Sequence, residues 1–300
     1  MCGMKSTSLV VKANRLVQAS YKLELVEQRV MEMAIAWSRL HVEQLTVETW
    51  IELSVAEYVD LYKSDAKSAY RQLRQAVKNL RLRTLVIEGV DLQTGKSSTL
   101  ETGWVNSILY VPDAGLIRIQ FSTAIVPCIS QLEEQFTSFK INSIIGLSSA
   151  YSIRLYELLK QYEKIKKRSF ELQELREYLE ATDTAYDRMD NLKSRVIDKA
   201  VDQINIHSDL TVSYTAQRRG RFIIGFDFFI DSKEKSKALL SSSPANSKPT
   251  VLPVAALSIA EKSMLRDLAA KTGRSEADLL AEARKQSVDV FLALDAMTKR

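Results

Sequence analysis

An α+β fold used twice in tandem is the architecture predicted by this sequence of 300 residues, and three observations carry the prediction. Apolar spacing before Pro127 reads as helices followed by a β-hairpin. The same order returns between Leu147 and Ile230, and an eight-residue block recurs at an offset of 124 residues. Composition agrees with an ordinary folded chain: 46% apolar, 26% charged, only 9 Gly and 5 Pro, with a length suited to two domains.

In the first unit, Val26, Val30, Met33, Trp37 and Leu40 step by three and four residues and form one stripe of a long helix after Ser20. Alternation from Trp50 to Leu53 leads into Ser54-Val-Ala-Glu57, a capping-box pattern that starts a helix ending near Tyr62. Ser64 or Asp65 caps the next helix, in which Tyr70, Leu73, Ala76, Val77 and Leu80 share a face. Thr84 to Glu88, Trp104 to Val111 and Leu116 to Phe121 read as strands, broken by Gly95, Gly103 and the turn Pro112-Asp-Ala-Gly115. Helix, helix, then hairpin is the plan of a winged helix.

The second unit reads as helices over Leu147 to Tyr162, Phe170 to Leu179 and Leu192 to Ile206. Strands Leu210 to Tyr214 and Phe222 to Ile230 follow, joined by Ala216-Gln-Arg-Arg-Gly220. Superposing LRQAVKNL (Leu73 to Leu80) on IDKAVDQI (Ile197 to Ile204) keeps the Ala-Val pair and both outer apolar residues in register. The predicted domains are residues 1–127 and 128–231. They are followed by a Ser, Lys and Pro-rich linker over 232–257 and a helical appendage over 258–300, in which Ser258-Ile-Ala-Glu261 resembles a capping box.

The formal charge of +5 is too small to name a partner, so its distribution matters. The stretches 1–127, 128–232 and 233–300 carry +2, −1 and +4. In the third helix of the second unit, Ile197, Ala200, Val201 and Ile204 face the core. Arg195, Lys199 and Asp202 lie opposite, with Ser194, Asp198 and Gln203 on the flanks. Lys193 is expected in the first turn, near free backbone N–H groups that suit phosphates. The concentration of Lys193, Ser194 and Arg195 there fits a helix that enters a DNA major groove; a solvated helix face explains the same charges. Arg218, Arg219 and Arg221 cluster at the predicted wing tip, where forked guanidinium groups suit phosphates or a narrow minor groove. The run Lys164-Ile-Lys-Lys-Arg168 adds phosphate-binding candidates or a solubilising loop, while Glu171, Glu174, Glu177 and Glu180 are expected to point elsewhere.

Several chemistries are excluded. Two histidines (His41, His207) and two cysteines (Cys2, Cys128) offer no zinc spacing, and no metal or other cofactor is expected. Gly89-Val-Asp-Leu-Gln-Thr-Gly95-Lys96-Ser97 has one residue too many for a P-loop and leads into a strand, so Thr94-Gly95-Lys96 reads as a hairpin tip. No nucleophile has a histidine partner, and Glu133 and Glu134, adjacent on a predicted helix, point apart; the chain reads as no enzyme. No apolar run reaches the ~18 residues that span a bilayer, so no membrane partner is expected and a soluble, cytoplasmic protein with reduced thiols is.

The blocks KANRLVQASYKLELVEQRVMEMAIAWSRL (Lys12 to Leu40), S-x-Y-x-x-R-L-Y-E-L-L (from Ser149) and R-V-I-D-x-A-V-x-x-I-N (from Arg195) resemble the Rep replication initiators of iteron-containing plasmids, over about residues 10 to 231. That resemblance implies two winged-helix domains and a protein that makes and breaks no bonds. Monomers would bind direct repeats in double-stranded origin DNA, the second unit in the major groove and the first on the adjacent backbone. It further implies bending and opening of an A·T-rich segment, with recruitment of the host initiator ATPase and replicative helicase. A homodimer in equilibrium with the monomer, joined largely through the first unit, would bind an inverted repeat and repress the protein's own gene. Lys193, Ser194, Arg195 and Lys199 would then touch bases or phosphates, and Arg71, Arg74 and Lys78 would hold phosphates from the first unit; solvated-face charge explains that trio, and Arg81 and Arg83, equally well. A transcriptional repressor or partition protein of the same fold, and a scaffold without DNA binding, are the alternatives. The scaffold leaves the arginine-rich wing unexplained.

Overall fold

A computed structural model describes residues 4–90, 94–130 and 136–233. The predicted appendage, most of the linker, and Glu133 and Glu134 lie outside these residues. In the first unit, α2 (Leu25–His41) leads into β3 (Ile51–Ser54), α3 (Val55–Tyr62) and α4 (Ala66–Leu82). The chain then forms β4 (Thr84–Val90), β5 (Ser97–Gly103), β6 (Val105–Val111) and β7 (Leu116–Phe121). Before α2 stand β1 (Leu9–Ala13), α1 (Asn14–Val17) and β2 (Ser20–Tyr21). After β7 come α5 (Val126–Ser130), β8 (Phe136–Lys140) and α6 (Asn142–Ile145).

The second unit is α7 (Ala150–Lys160), β9 (Lys167–Glu171) and α8 (Leu172–Tyr178), then α9 (Met189–Leu192) and α10 (Asp198–His207) joined by the π-turn Lys193–Ile197. It ends with β10 (Leu210–Arg219) and β11 (Phe222–Ser232).

Both units follow one winged-helix plan. Their sheets run β3-β7-β6 and β9-β11-β10, so the strand before the second helix borders the last strand in each. The offset of 124 residues places buried on buried: Leu73, Ala76, Val77 and Leu80 match Ile197, Ala200, Val201 and Ile204, all in the core. The predicted caps form at α3 and α4. Ser54 accepts from the Glu57 N–H at 3.3 Å, and Asp65 accepts from the N–H groups of Lys67 and Ser68. The reciprocal half of the box at Ser54 is not made, because Glu57 accepts from the Met4 N–H at 3.0 Å.

Three features differ from the expectation. β4 and β5 are an inserted hairpin between helix and wing, and they build a separate sheet, β2-β4-β5. Gly95, with φ of 67°, lies in the connection between these antiparallel strands, so the segment cannot open a helix as a P-loop would. Phe170 belongs to β9 and not to a helix, since Arg168 and Phe170 alternate inward with exposed neighbours. Gly225 of β11 is required there: a Cβ would sit 2.4 Å from the Phe170 carbonyl oxygen of β9.

The third difference lies in α2. Only Val30 and Met33 of the predicted stripe are fully buried, and Leu40 is 49% exposed. Glu27, Gln28, Met31, Glu32, Ala34, Ile35 and Ala36 are buried as well, because α4, β1, β3 and α7 enclose the helix. At that junction β1 pairs antiparallel with β8, from Leu9 opposite Lys140 to Ala13 opposite Phe136. Lys12, buried in β1, donates to Glu32 of α2 at 2.5 Å and to Glu157 of α7 at 2.6 Å. Arg154, one turn from Glu157, donates to Tyr21 Oη at 2.6 Å and to the carbonyls of Val17 and Ala19. The network therefore ties the opening helix of each unit to the N-terminal strands.

Burial would lower the Lys12 ammonium, but Glu157 and Glu32 outweigh it and hold the group above its ordinary value. Burial pushes the Glu32 carboxyl up from 4.5 to about 8 with Glu157 adding repulsion, whereas Lys12 and Arg154 overcome burial at Glu157 and lower it. Glu32 is the member that takes a proton, and its Oε2 has no partner among the described residues.

Replacing Lys12 by Met leaves the buried Glu32 and Glu157 carboxyl groups without their shared ammonium and is expected to cost about 3 to 5 kcal/mol in urea unfolding. Folded Glu32 binds a proton that the unfolded chain releases between pH 4.5 and about 8, so stability falls as pH rises through that window. Glu32→Gln is expected to flatten this decline; an unchanged slope assigns it to other groups.

Candidate nucleic-acid interface

The third helix of the second unit starts at Met189, earlier than the expected Leu192. Lys193 is therefore not in its first turn: its N–H already bonds to the carbonyls of Met189 and Asp190. Its ammonium is also engaged, at 3.0 and 3.1 Å from the Asp198 carboxylate and 5.3 Å from the Tyr214 ring centroid. The Tyr214 hydroxyl, then Asp198, hold this ammonium above its ordinary value, and Tyr214 itself donates to Asp198. Ser194 donates to the Asp190 carbonyl at 2.6 Å. Gln203 accepts from the Ser148 N–H at 2.9 Å and donates to Ser148 Oγ at 3.0 Å, fixing α10 to the loop before α7.

Arg195 and Lys199 remain exposed, with no hydrogen bond or ion pair to a described residue. The π-turn beneath Arg195 widens the helix where it carries that residue, a local feature frequent at functional sites. Arg188, exposed at the N-cap and 3.7 Å from Asp190, is a cation the sequence reading missed. Its signal was Asp190, an acidic residue of the kind that favours a helix start.

The wing is longer and its tip tighter than expected. β10 and β11 pair from Leu210 opposite Ser232 to Arg219 opposite Phe222, leaving a two-residue loop in which Gly220 adopts φ of 61°. Arg218 and Arg219 thus belong to the strand end, and Arg221 lies in the loop, 5.1 Å from the Phe222 ring centroid. All three arginines are exposed. The run 164–168 does not form a free basic patch. Arg168 is 5% exposed, donating to the Leu158 carbonyl at 2.6 Å between the rings of Tyr162 and Phe170, and Lys166 and Lys167 pair with Asp231 and Asp227. Glu174 and Glu177 line a hollow shared with Arg15 and Ser20, on the side turned to the first unit.

On α4 of the first unit, Arg71, Arg74, Lys78 and Arg81 form one exposed row beside β6. Arg74 stacks on Tyr110 of β6 at 5.1 Å. Arg83 turns away and pairs with Glu27 at 3.2 Å. At the far end of the fold, Lys233 donates to the carbonyls of Asn205 and Ser208, closing the C-terminus of α10. No helix among the described residues is long and apolar enough to cross a membrane.

Two winged helices with outward basic helix faces invite comparison with known proteins. Residues 9–160 match the family described as "Initiator Replication protein, WH1", and residues 171–230 match "Initiator Rep protein, WH2". The chain belongs to the initiator Rep protein family. This initiator is 29% identical to the PI protein of Escherichia coli over 271 residues, covering 79% of the chain and 87% of that relative. A 27.6 kDa uncharacterized Escherichia coli protein is 21% identical, covering 71% of the chain and 92% of the relative. Among solved structures, the crystal structure of Pi initiator protein in complex with iteron DNA matches with a TM-score of 0.63 and 26% identity. The match covers 76% of this initiator and 98% of that chain.

Gln203→Ala removes both bonds to Ser148 and is expected to lower stability by about 1 kcal/mol in chemical denaturation. Unchanged stability means that this link holds nothing.

Proposed function

We propose that this initiator starts plasmid replication by binding direct repeats, or iterons, in double-stranded origin DNA as a monomer. The observation that carries the reading is the pairing of the free Arg195 and Lys199 on the outer face of the third helix with the exposed arginines of the adjoining wing. The similar Pi initiator, crystallised with iteron DNA, supports the same ligand here. In this reading the helix enters the major groove, Arg195 reads a base edge and Lys199 meets an edge or phosphate. Arg218, Arg219 and Arg221 hold the backbone beside it. Lys193, Ser194 and Gln203 serve mainly to fix the shape and seating of that helix, because their polar groups are already bonded.

The row Arg71, Arg74 and Lys78 supplies phosphate contacts from the first unit. Occupied repeats promote opening of the neighbouring A·T-rich duplex and recruit the host initiator ATPase and replicative helicase, while a dimer binds an inverted repeat and represses the gene. The second unit carries little net charge, so affinity depends on the placement of these groups.

A gel-shift series on the DNA flanking the gene tests the reading. Laddered complexes on direct repeats support an initiator; a single complex on a palindrome favours a repressor or partition protein; no salt-sensitive complex defeats both. Arg195→Ala is expected to weaken specific binding by about 1 to 3 kcal/mol and relax preference at one base pair. Normal repeat binding by that variant removes Arg195 from the reading face. Arg219→Ala is expected to weaken all sequences alike and reduce the salt slope by about one unit. An unaltered slope excludes the wing as a phosphate clamp.

A further inference from the structure

The outermost arc of α10 carries a residue for which neither a structural contact nor phosphate binding accounts. At about 100° per residue, Ile197, Ala200, Val201 and Ile204 centre on the core, and Lys199, Asp202 and Ile206 fall within about 60° of one another, diametrically opposite. Ile206 is 71% exposed, which marks how far this arc stands from the protein. Asp202 is exposed and makes no hydrogen bond or ion pair with a described residue. Lys199 precedes it by three positions, the less favourable order for a helix pair, and the two do not join.

A carboxylate in that position is harmless in water and unfavourable against DNA. It enters the field of two phosphate strands without an ion-pair partner, so it weakens every complex unless a donor meets it. In the major groove the base-edge donors are the amino groups of cytosine and adenine. Adenine sets its N7 acceptor beside the amino group and repels the second carboxylate oxygen, whereas cytosine has only its C5–H there. Guanine and thymine turn acceptors toward the same point.

We propose, resting on the groove-reading role given to this helix, that Asp202 is a specificity-determining residue that accepts a hydrogen bond from a cytosine amino group and rejects guanine and thymine at that position. Its contribution is discrimination and not affinity. Arg195 and Lys199 supply attraction, and Asp202 withdraws part of it wherever cytosine is missing.

The test is selection by the full chain from a pool of duplexes with a randomised segment, followed by sequencing of the bound fraction, for wild type, Asp202→Ala and Asp202→Asn. Wild type is expected to select a motif with one C·G pair favoured about tenfold. Asp202→Ala is expected to lose that preference at the one position, keep the rest of the motif, and bind mixed-sequence duplex more tightly than wild type. Asp202→Asn is expected to move the preference from cytosine toward adenine, whose N6 and N7 an amide meets with both its groups. If Asp202→Ala selects the wild-type motif at every position while Arg195→Ala does not, the proposal for Asp202 falls and groove reading stands. If wild type itself selects no motif, groove reading falls and takes this proposal with it.

Discussion

A single ammonium group between two buried carboxyl groups sets how the opening helices of the two winged helices meet. Lys12 reaches Glu32 on the opening helix of the first unit and Glu157 on the opening helix of the second, all three buried. Such a cluster earns little stability over an apolar core of the same shape, because the cost of stripping water from each ion is comparable to their attraction. What it fixes is geometry. Apolar packing of α2 against α7 tolerates small slides, whereas two charge-assisted bonds of 2.5 and 2.6 Å from one nitrogen do not. Arg154 extends the restraint to Tyr21 and to the carbonyls before β2.

That restraint matters because each winged helix presents its basic helix on its own surface. Arg71, Arg74, Lys78 and Arg81 on one unit and Arg195 and Lys199 on the other make no ion pair with a described residue. Elsewhere the same types of charge are spent on structure: Arg168 among aromatic rings, Arg83 on Glu27, Lys193 on Asp198. The division between paired and unpaired cations separates the scaffold from the exposed faces more sharply than net charge does.

Local signals in the sequence carried far. The caps at Ser54 and Asp65, the core faces of α4 and α10, the turn at Gly115 and the repeat at 124 residues all depend on neighbours within a turn or on simple periodicity. Arg195 and Lys199 were legible for that reason, since being opposite a buried stripe needs only the helix angle. Non-local choices were not legible. The strand β9 hid because its inward residue Arg168 is charged, and only the rings of Tyr162 and Phe170, brought together by folding, make its burial tolerable. The burial of Glu32 was not legible either, because nothing nearby in sequence announces Lys12 or Glu157. The bonds of Gln203 to Ser148 join residues 55 apart, and the inserted hairpin β4–β5 is distinguished from the wing only by its pairing with β2.

Lys233 gives the ending of the described fold a particular location. By seating its ammonium on the carbonyls of Asn205 and Ser208, it fastens the chain to the C-terminal end of α10 just as β11 finishes. The amine is thus a clasp between the last strand and the last turn of α10, so the wing and the helix that bears Lys199 and Asp202 share one fixed end.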